Sequence, residues 1–299
     1  PAMLLWLLHG PMPAEAMPPH ARLWLAALLA TVLVAATLEG VVLTVRHRHG
    51  RGPGYDWRAS AASLADLVAR RSVDALGLSL ATPVLLWAWA HRVHTWSMAG
   101  PGAWIALLLG EELCYYVYHR TAHRVRWFWA THAVHHSSPT LTLAAALRLG
   151  WTGKLTGSGL FFAPLLWLGF APWAVFGMVA ANLLYQFWLH APWIPSLGPL
   201  EWVFNTPTHH AVHHACNPEY LDCNYGGVLI VFDRLFGSFV ARRPDVVPRF
   251  GLTDPLVSHN PLIIAFREWG RLLRDLRHPP AGRSRWAVLF GPPGPAPHR

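Results

Sequence analysis

The sequence predicts an all-α integral membrane protein, built as a helical bundle of four to five spanning or re-entrant helices. Two observations predict this fold class. Hydrophobic residues make up 53% of the 299 residues and charged residues only 13%, whereas soluble globular chains carry about 25% charged residues. Several apolar segments are also long enough to cross, or partly cross, the hydrocarbon core of a bilayer. The length suits one such bundle rather than two independent domains.

Five apolar segments are the predicted spans. The first is long enough to cross a bilayer and contains a single acid, Glu39. Pro83 is expected to kink the second span, and a tight hairpin joins the last two. Residues 56–74 resemble an amphipathic helix that lies on the membrane surface. The predicted spans are 21–45, 73–90, 103–118, 155–170 and 173–190.

The basic residues orient these spans. Arginine and lysine concentrate after the first and third spans, which predicts that these loops, and the long polar regions with them, lie in the cytoplasm. The net charge of +9 is then explained by cytoplasmic loops and anionic lipid headgroups, and no motif for nucleic-acid binding is present. The predicted parts are an N-terminal segment (1–20), a membrane domain (21–240) and a cytosolic C-terminal segment (241–299) whose last stretch, 279–299, is a disordered tail.

Histidine gives the strongest signal for function. Three short boxes, HRTAH, HAVHH and again HAVHH, place imidazoles at positions i, i+3 and i+4. On an α-helix these positions share one face, so each box is expected to present its imidazoles together. The predicted topology puts all three boxes, and the histidine that ends the fifth span, on the cytoplasmic side. These residues are His119, His123, His132, His135, His136, His190, His210, His213 and His214.

This many imidazoles suits two metal ions with four or five ligands each. Imidazole binds Fe, Cu, Zn and Ni, and the three cysteines form no C-x-x-C pair. A redox iron pair that activates dioxygen fits a membrane setting, where the substrate is a lipid with unactivated C–H bonds. A zinc-dependent membrane hydrolase is the alternative from another class, although such sites usually include carboxylates. A metal transporter would need a continuous polar path across the bilayer, and the spans do not offer one.

The boxes and their surroundings resemble the fatty acid hydroxylase superfamily, also called the sterol desaturase family, whose signature is H-x3-H, H-x2-HH and [HQ]-x2-HH. HAVHHSSPTLTLAAALR is similar to the second block of the family, and TPTHHAVHHACNPEYLDCNYGG with FDRLFGSF is similar to the last block. NLLYQFWLH and LGPLEWVFNTP resemble the alkylglycerol monooxygenase branch and its bacterial relatives. The resemblance covers residues 111–240.

The resemblance implies a cytosolic helical cap that holds a histidine-rich di-iron site above a cavity open to the bilayer. It makes the eight box histidines metal ligands and His190 a ninth, with no catalytic residue beyond these ligands. The family has a further H-x3-H pair on the last membrane helix, where this chain has Gln186 in place of the first histidine. Zinc is expected to replace iron in purified protein.

Six residues are expected to support the ligands without binding metal. Glu112 lies seven residues before His119 and is expected either to orient an imidazole or to pair with Arg120 or Arg148. Asn182 and Gln186, in the middle of the last span, lie on the same face of the helix as His190. The supporting residues are Glu112, Asn182, Gln186, His209, Asp222 and Asn224.

The implied reaction is hydroxylation of a lipid, a fatty acyl, alkyl-glycerol or sterol-like chain, by dioxygen and an external electron donor. The donor is of the cytochrome b5, ferredoxin or reduced-pterin type. Desaturation of a lipid remains the alternative within the family. The implied location is the bacterial inner membrane, with the histidine boxes on its cytoplasmic side.

Overall fold

The computed structural model of the chain describes residues 19–294, and its regular elements are helices. Two isolated β-bridges pair Phe204 with Leu229 and Ala215 with Phe250 in this part of the chain. This confirms the all-α prediction for that part of the chain. The predicted N-terminal segment lies almost wholly outside it. The helices are α1 (Pro19–Arg48), α2 (Trp57–Asp74), α3 (Thr82–Ala90), α4 (Pro101–Arg124), α5 (Arg126–His136), α6 (Gly153–Thr156), α7 (Ala163–Trp167), α8 (Pro172–Leu189), α9 (Pro207–His213), α10 (Val231–Leu235), α11 (Pro261–Arg277) and α12 (Arg285–Phe290).

Helix α1 matches the first predicted span. Within residues 19–294 it is the one helix whose length and apolar composition suit a membrane crossing, over Leu23–Arg48, and only 17% of its most apolar window is buried. Its acid is not free. The Glu39 carboxylate accepts hydrogen bonds from the backbone of Leu143 and from the Trp193 indole, each 2.7 Å long. The single acid inside α1 therefore connects this helix to the loops that surround the histidines.

The second and fourth predicted spans are wrong as continuous helices. Residues 75–81 are not helical, because Gly77 adopts a left-handed φ of 70° and Pro83 lies in the first turn of α3 instead of kinking a longer helix. Residues 155–170 break in the same way. Gly157, with a φ of 84°, ends α6, and Pro164 stands in the first turn of α7.

A hydrophobic core joins the remaining apolar helices. Leu85 of α3, Leu107 of α4, Leu166 of α7 and Val175 of α8 are buried in one cluster. The long helix α4 extends beyond this core and carries the first histidine box on its last turns. Its partner α8 ends directly before His190, the histidine at the end of the fifth predicted span.

The C-terminal segment is more ordered than predicted. Helix α12 forms within the expected disordered tail, and its Val288 is buried with Leu272 of α11 and Ala130 of α5. The prediction of a tail over 279–294 is therefore wrong, and residues 295–299 lie outside the described part of the chain. Proline and glycine flank this helix, so its short apolar run, RWAVLF, was hidden among residues typical of disorder.

Candidate metal centre

Helix ends bring the histidines together. His119 and His123 lie one turn apart at the end of α4, and Val125 then takes an extended conformation that lets α5 turn back along it. The second box occupies the last turns of α5, and the third box occupies α9. The chain therefore places three imidazole-bearing helix ends against one another.

Five imidazoles form one group, which we call cluster A. One ring nitrogen from each lies within 4.8 Å of the others. The Nε2 atom of His132 is 3.0 Å from that of His119 and 3.2 Å from that of His136. Four of the five side chains are buried, and His132 is half-buried. Cluster A consists of His119, His123, His132, His136 and His213.

The other four imidazoles form cluster B, in which all side chains are buried. His190 stands at its centre, because its Nε2 atom is 3.3 Å from the Nε2 atoms of both His135 and His210. The clusters adjoin, since the rings of His136 in cluster A and His214 in cluster B stack at 4.3 Å. The structure thus brings all nine expected ligands together, in two sets. Cluster B consists of His135, His190, His210 and His214.

Each H-x2-HH box divides its histidines between the two clusters, which differs from the expectation that a box presents them together. The i and i+4 residues, His132 and His136, join cluster A, while His135 at i+3 joins cluster B. The third box does the reverse with His210, His214 and His213. A helix turns about 100° per residue, so i+4 lies about 40° to one side of i, and i+3 about 60° to the other. One box therefore serves two neighbouring sites.

Backbone carbonyls fix the protonation of cluster B. The Nδ1 atom of His135 lies 3.1 Å from the Arg148 carbonyl, and that of His190 lies 2.9 Å from the Gln186 carbonyl. A carbonyl only accepts, so both Nδ1 atoms carry the proton and, in neutral rings, both Nε2 atoms present lone pairs. These lone pairs face each other at 3.3 Å. A metal ion held by His135 and His190 would convert this repulsion into coordination.

Cluster A has the same design. Nδ1 of His119 and Nδ1 of His213 each donate to a backbone carbonyl, of Tyr225 and Cys223, over 2.8 Å. Such outer hydrogen bonds are typical of histidines that bind metal through Nε2. Burial lowers the pKa of both His135 and His213 to about 4, so these rings are neutral and ready to coordinate at neutral pH.

Unpaired nitrogens complete the test of fit. The buried Nε2 atoms of His123, His213 and His214 have no hydrogen-bond partner among residues 19–294, whereas nearly all buried polar groups in proteins are paired. Neither cluster includes a carboxylate or a thiolate. The residues fit metal ions that accept all-nitrogen ligand sets, as iron, copper, zinc and nickel do.

A tight loop carries the two carbonyls that orient cluster A. Asp222 and Asn224 adopt left-handed φ angles of 58° and 56°, a conformation that aspartate and asparagine tolerate better than most residues. The carboxylate of Asp233 accepts from the backbone amides of Tyr225 and Gly226 over 2.8 and 2.7 Å. Asp233 thereby fixes the loop that holds His119 and His213.

Two of the expected supporting residues belong to this loop. The Asn224 side chain accepts from the Val240 amide and donates to the Val240 carbonyl, both over 2.8 Å, so it shapes the loop. An oxygen of Asp222 lies 3.7 Å from Nδ1 of His123, beyond hydrogen-bond length, and the other lies 3.5 Å from the Arg124 guanidinium. Burial raises the pKa of Asp222.

Glu112 has different partners from those expected. It accepts from the backbone amides of Val228 and Leu229, over distances of 2.8 to 3.1 Å, and from the Asn182 amide over 2.9 Å. Neither an imidazole nor Arg120 nor Arg148 is among these partners. Glu112 therefore connects α4 to the end of the loop that orients cluster A.

The amides of α8 form a chain with their neighbours. Asn182 donates to Glu111 and Glu112 and accepts from Gln186, and Gln186 in turn accepts from the Tyr115 hydroxyl over 2.9 Å. The side chain of Gln186 thus bonds to neither cluster, and it is the backbone carbonyl of Gln186 that holds His190. His209 lies outside both clusters, with Nε2 3.9 Å from the Glu201 carboxylate.

Sequence reasoning missed a buried ion pair next to cluster B. The Arg148 guanidinium and the Asp66 carboxylate are almost completely buried, 4.0 Å apart. Arg148 donates to the Ala59 carbonyl and to the hydroxyls of Ser63 and Ser137. Burial raises the pKa of Asp66 to about 6, although Arg148 opposes this. The sequence signal for this ion pair is Asp66, an acid between apolar residues at the centre of the amphipathic segment 56–74.

A cavity of about 420 Å³ touches both clusters. His132 of cluster A and His135 and His190 of cluster B line it. Most other lining side chains are apolar, which matches the usual composition of small-molecule sites. These include Phe162, Phe176, Val179, Leu183, Leu184 and Phe187.

The family of this region follows from its similarity to known proteins. The model of the fatty acid hydroxylase family matches residues 104–238. This part of the chain belongs to the fatty acid hydroxylase family. The matched region contains every histidine of clusters A and B and the loop that orients cluster A.

Similar proteins of known name extend the comparison. Alkylglycerol monooxygenases of Xenopus tropicalis and Homo sapiens are each 37% identical to the chain, over 219 and 218 residues, which is 73% of this chain and 48% of each relative. The ornithine lipid hydroxylase OlsE of Rhizobium tropici is 32% identical over 155 residues, 51% of this chain and 46% of the relative. The chain thus spans about half the length of these relatives. No solved structure matches the chain.

Proposed function

We propose that the protein is a membrane-embedded, non-haem di-iron oxygenase that hydroxylates a lipid chain. The single observation that carries the proposal is the apolar cavity whose wall includes imidazoles of both clusters. A lipid chain in this cavity would lie against two metal sites at once. The relatives named above act on lipids according to their names, alkylglycerols in one case and an ornithine lipid in the other.

In the proposed reaction, iron bound in both clusters supplies the redox chemistry by which dioxygen, two electrons and two protons convert a C–H bond to an alcohol and water. The nine histidines hold the metals, and the carbonyls of Tyr225, Cys223, Arg148 and Gln186 keep their Nδ1 protons away from the metals. Phenylalanine and leucine side chains exclude water and align the chain. No side chain acts as a nucleophile.

The electrons come from an external donor of the cytochrome b5, ferredoxin or reduced-pterin type. We place the protein in the bacterial inner membrane with the clusters on the cytoplasmic side. Outward-facing apolar residues support the membrane setting. On α4 they form a stripe at every fourth residue, from 38% to 59% exposed, which a water-soluble helix would rarely show. The stripe consists of Ile105, Leu109, Leu113 and Val117.

Lipid mass spectrometry with isotopically labelled dioxygen tests the proposal. Cells that express the protein should accumulate a lipid that carries one labelled oxygen atom, and cells that express a His135→Ala variant should not. A new double bond without label would indicate desaturation instead. Oxygen from water, with activity that persists without dioxygen, would indicate a zinc hydrolase and would contradict the oxygenase.

A further inference from the structure

The cavity beside the clusters has a charged region that metal binding does not explain. Arg70 and Asp74 come from the last turns of α2, and Lys154 comes from α6. Apart from imidazoles, these three are the charged side chains among the described residues that line the cavity. All three are half-buried. A site for a purely apolar chain would need none of them.

Two cations share one carboxylate in this region. Nε of Arg70 lies 3.8 Å from one oxygen of Asp74, and Nζ of Lys154 lies 3.7 Å from the other. Both distances are too long for strong charge-assisted hydrogen bonds, which are about 2.7–2.9 Å. One positive charge therefore remains in excess, and both cations keep donor capacity for another anion.

The rest of the wall is apolar, so the cavity as a whole is amphipathic. Phe176, Val179 and Leu183 of α8 line it together with the imidazoles. A small anion would satisfy the cations but leave this surface uncovered. An uncharged hydrocarbon would cover the surface but leave the excess positive charge beside Asp74 without a second anion. A ligand that satisfies both has an anionic head and an apolar chain.

We infer that the cavity binds an amphiphile with an anionic headgroup, a phosphate or a carboxylate, and that Arg70 and Lys154 hold this headgroup. The apolar chain of the ligand then lies against His132, His135 and His190. This inference rests on the proposed function, because it takes the ligand to be the lipid substrate. It adds a substrate class, since it predicts preference for charged over neutral lipids with the same chain.

Lys154 also has a structural role, which makes Asp74 the more informative position. Nζ of Lys154 donates to the Asp74 carbonyl over 3.3 Å and so stabilises the end of α2. Loss of Lys154 would therefore disturb any ligand. Asp74 competes with the headgroup for both cations, so Asp74→Asn should strengthen binding of an anion. A purely structural role of the three residues predicts the opposite sign.

Binding to the full, metal-loaded chain in nanodiscs tests the inference by calorimetry, with empty nanodiscs as the blank. Dodecyl phosphate should bind about tenfold more tightly than dodecylglycerol, the scale of one charge-assisted hydrogen bond. Arg70→Gln should remove this preference without changing the affinity for dodecylglycerol. Arg71→Gln, the exposed neighbour outside the cavity, should change neither. Asp74→Asn should widen the preference, and inorganic phosphate alone should not compete.

Three results would overturn the inference. They are equal affinities for the two dodecyl compounds, an equal loss of both in Arg70→Gln, or weaker dodecyl phosphate binding in Asp74→Asn. Competition by inorganic phosphate as strong as that by dodecyl phosphate would mean a phosphate site and no amphiphile. The readout needs neither dioxygen nor turnover. A failed labelling experiment with an intact headgroup preference would therefore contradict only the oxygenase, and the reverse pattern only the headgroup site.

Discussion

Clusters A and B are both built from imidazole side chains but are held by different parts of the molecule. Cluster A depends on a loop, whose Cys223 and Tyr225 carbonyls orient two of its rings. Cluster B depends on the end of α8 and on the backbone of Arg148. Cluster A also has five nitrogen donors, and cluster B has four. The two clusters should therefore differ in how well they tolerate the loss of one imidazole or of one supporting contact, because the number of imidazoles and the groups that orient them differ.

Acid should affect both clusters alike, and its effect on the free energy of unfolding should be the largest of those predicted. Burial holds the pKa of His135 and of His213 at about 4, against 6.5 for an ordinary imidazole. The unfolded chain therefore binds protons that the folded chain does not, and the free energy of unfolding should fall as pH drops from 6.5 to 4. Carboxyl groups act in the opposite direction, because burial raises the pKa of Asp66 to about 6 and also raises the pKa of Asp222 and Asp233. The nine imidazoles of the two clusters, whose pKa burial lowers, outnumber them.

Denaturant unfolding of chelator-treated protein between pH 4 and pH 7 measures this dependence. Protons also compete with metal for the imidazoles, so metal-loaded protein should release both ions over the same range. Constant or rising stability on acidification would show that the rings are not neutral in the folded state.

Removal of one ligand from each cluster should reveal the unequal ligand number. His135→Ala leaves cluster B with three donors and should lose one metal ion per chain, while His213→Ala leaves cluster A with four and should keep a weakly bound ion. Both should abolish turnover, because both metals are needed. Metal analysis with a chelator challenge and the labelling assay measure the two effects. His49→Ala, an exposed histidine outside the clusters, is the matched control.

Dioxygen-dependent activity that survives in both variants would contradict the assignment of these histidines as ligands. Equal metal loss in both would contradict the difference between the clusters, while the assignment itself would stand.

Loss of the buried cation behind cluster B should destabilise the fold. Arg148→Met leaves Asp66 buried without its partner and removes the donor to the Ala59 carbonyl. We expect a loss of about 3–5 kcal/mol in the free energy of unfolding, measured by denaturant unfolding at pH 7. The double variant with Asp66→Asn should regain much of this loss, because no buried charge then remains. If the double variant is no more stable than Arg148→Met, the ion pair is not the cause.

A smaller and more selective effect is expected at the loop of cluster A. Asp233→Asn cannot accept from the Tyr225 and Gly226 amides with both oxygens, so the loop should loosen. We expect about 10- to 100-fold weaker metal binding in cluster A, the usual cost of losing an outer partner, and little change in cluster B. A chelator titration should then show one labile and one retained ion. Asp245→Asn, an exposed aspartate, is the control.

Two labile ions in Asp233→Asn would mean that the clusters share their supports. Unchanged affinity would mean that the loop does not orient the rings.

Local patterns predicted which histidines come together, and non-local packing explains what these patterns missed. The spacing within HAVHH placed three imidazoles on one helix end, because that geometry depends on four or five neighbouring residues. The division of each box between two sites follows only from where the partner helices lie. Arg148 contacts Ser63 and Ala59, 85 and 89 positions away, and no local pattern encodes such a contact. Glu112 likewise bonds to backbone amides, which leave no trace in the sequence.

The helix breaks have a different cause. Hydropathy averages over a window, so 73–90 was interpreted as one helix although Gly77 and Pro83 interrupt it. The break in the fourth predicted span lies beside the cavity, because Ser158 and Gly159, which follow the end of α6, line it.

The division of the boxes has a consequence for biosynthesis. Cluster A lacks His213, and cluster B lacks His210 and His214, until translation has passed the third box. The tethering carbonyl of Tyr225 emerges from the ribosome later still. In the proposed enzyme, a half-made chain would therefore lack the full ligand set of either cluster. Complete metal loading would be a late step, because it would require the two ends of the histidine-bearing region to have come together.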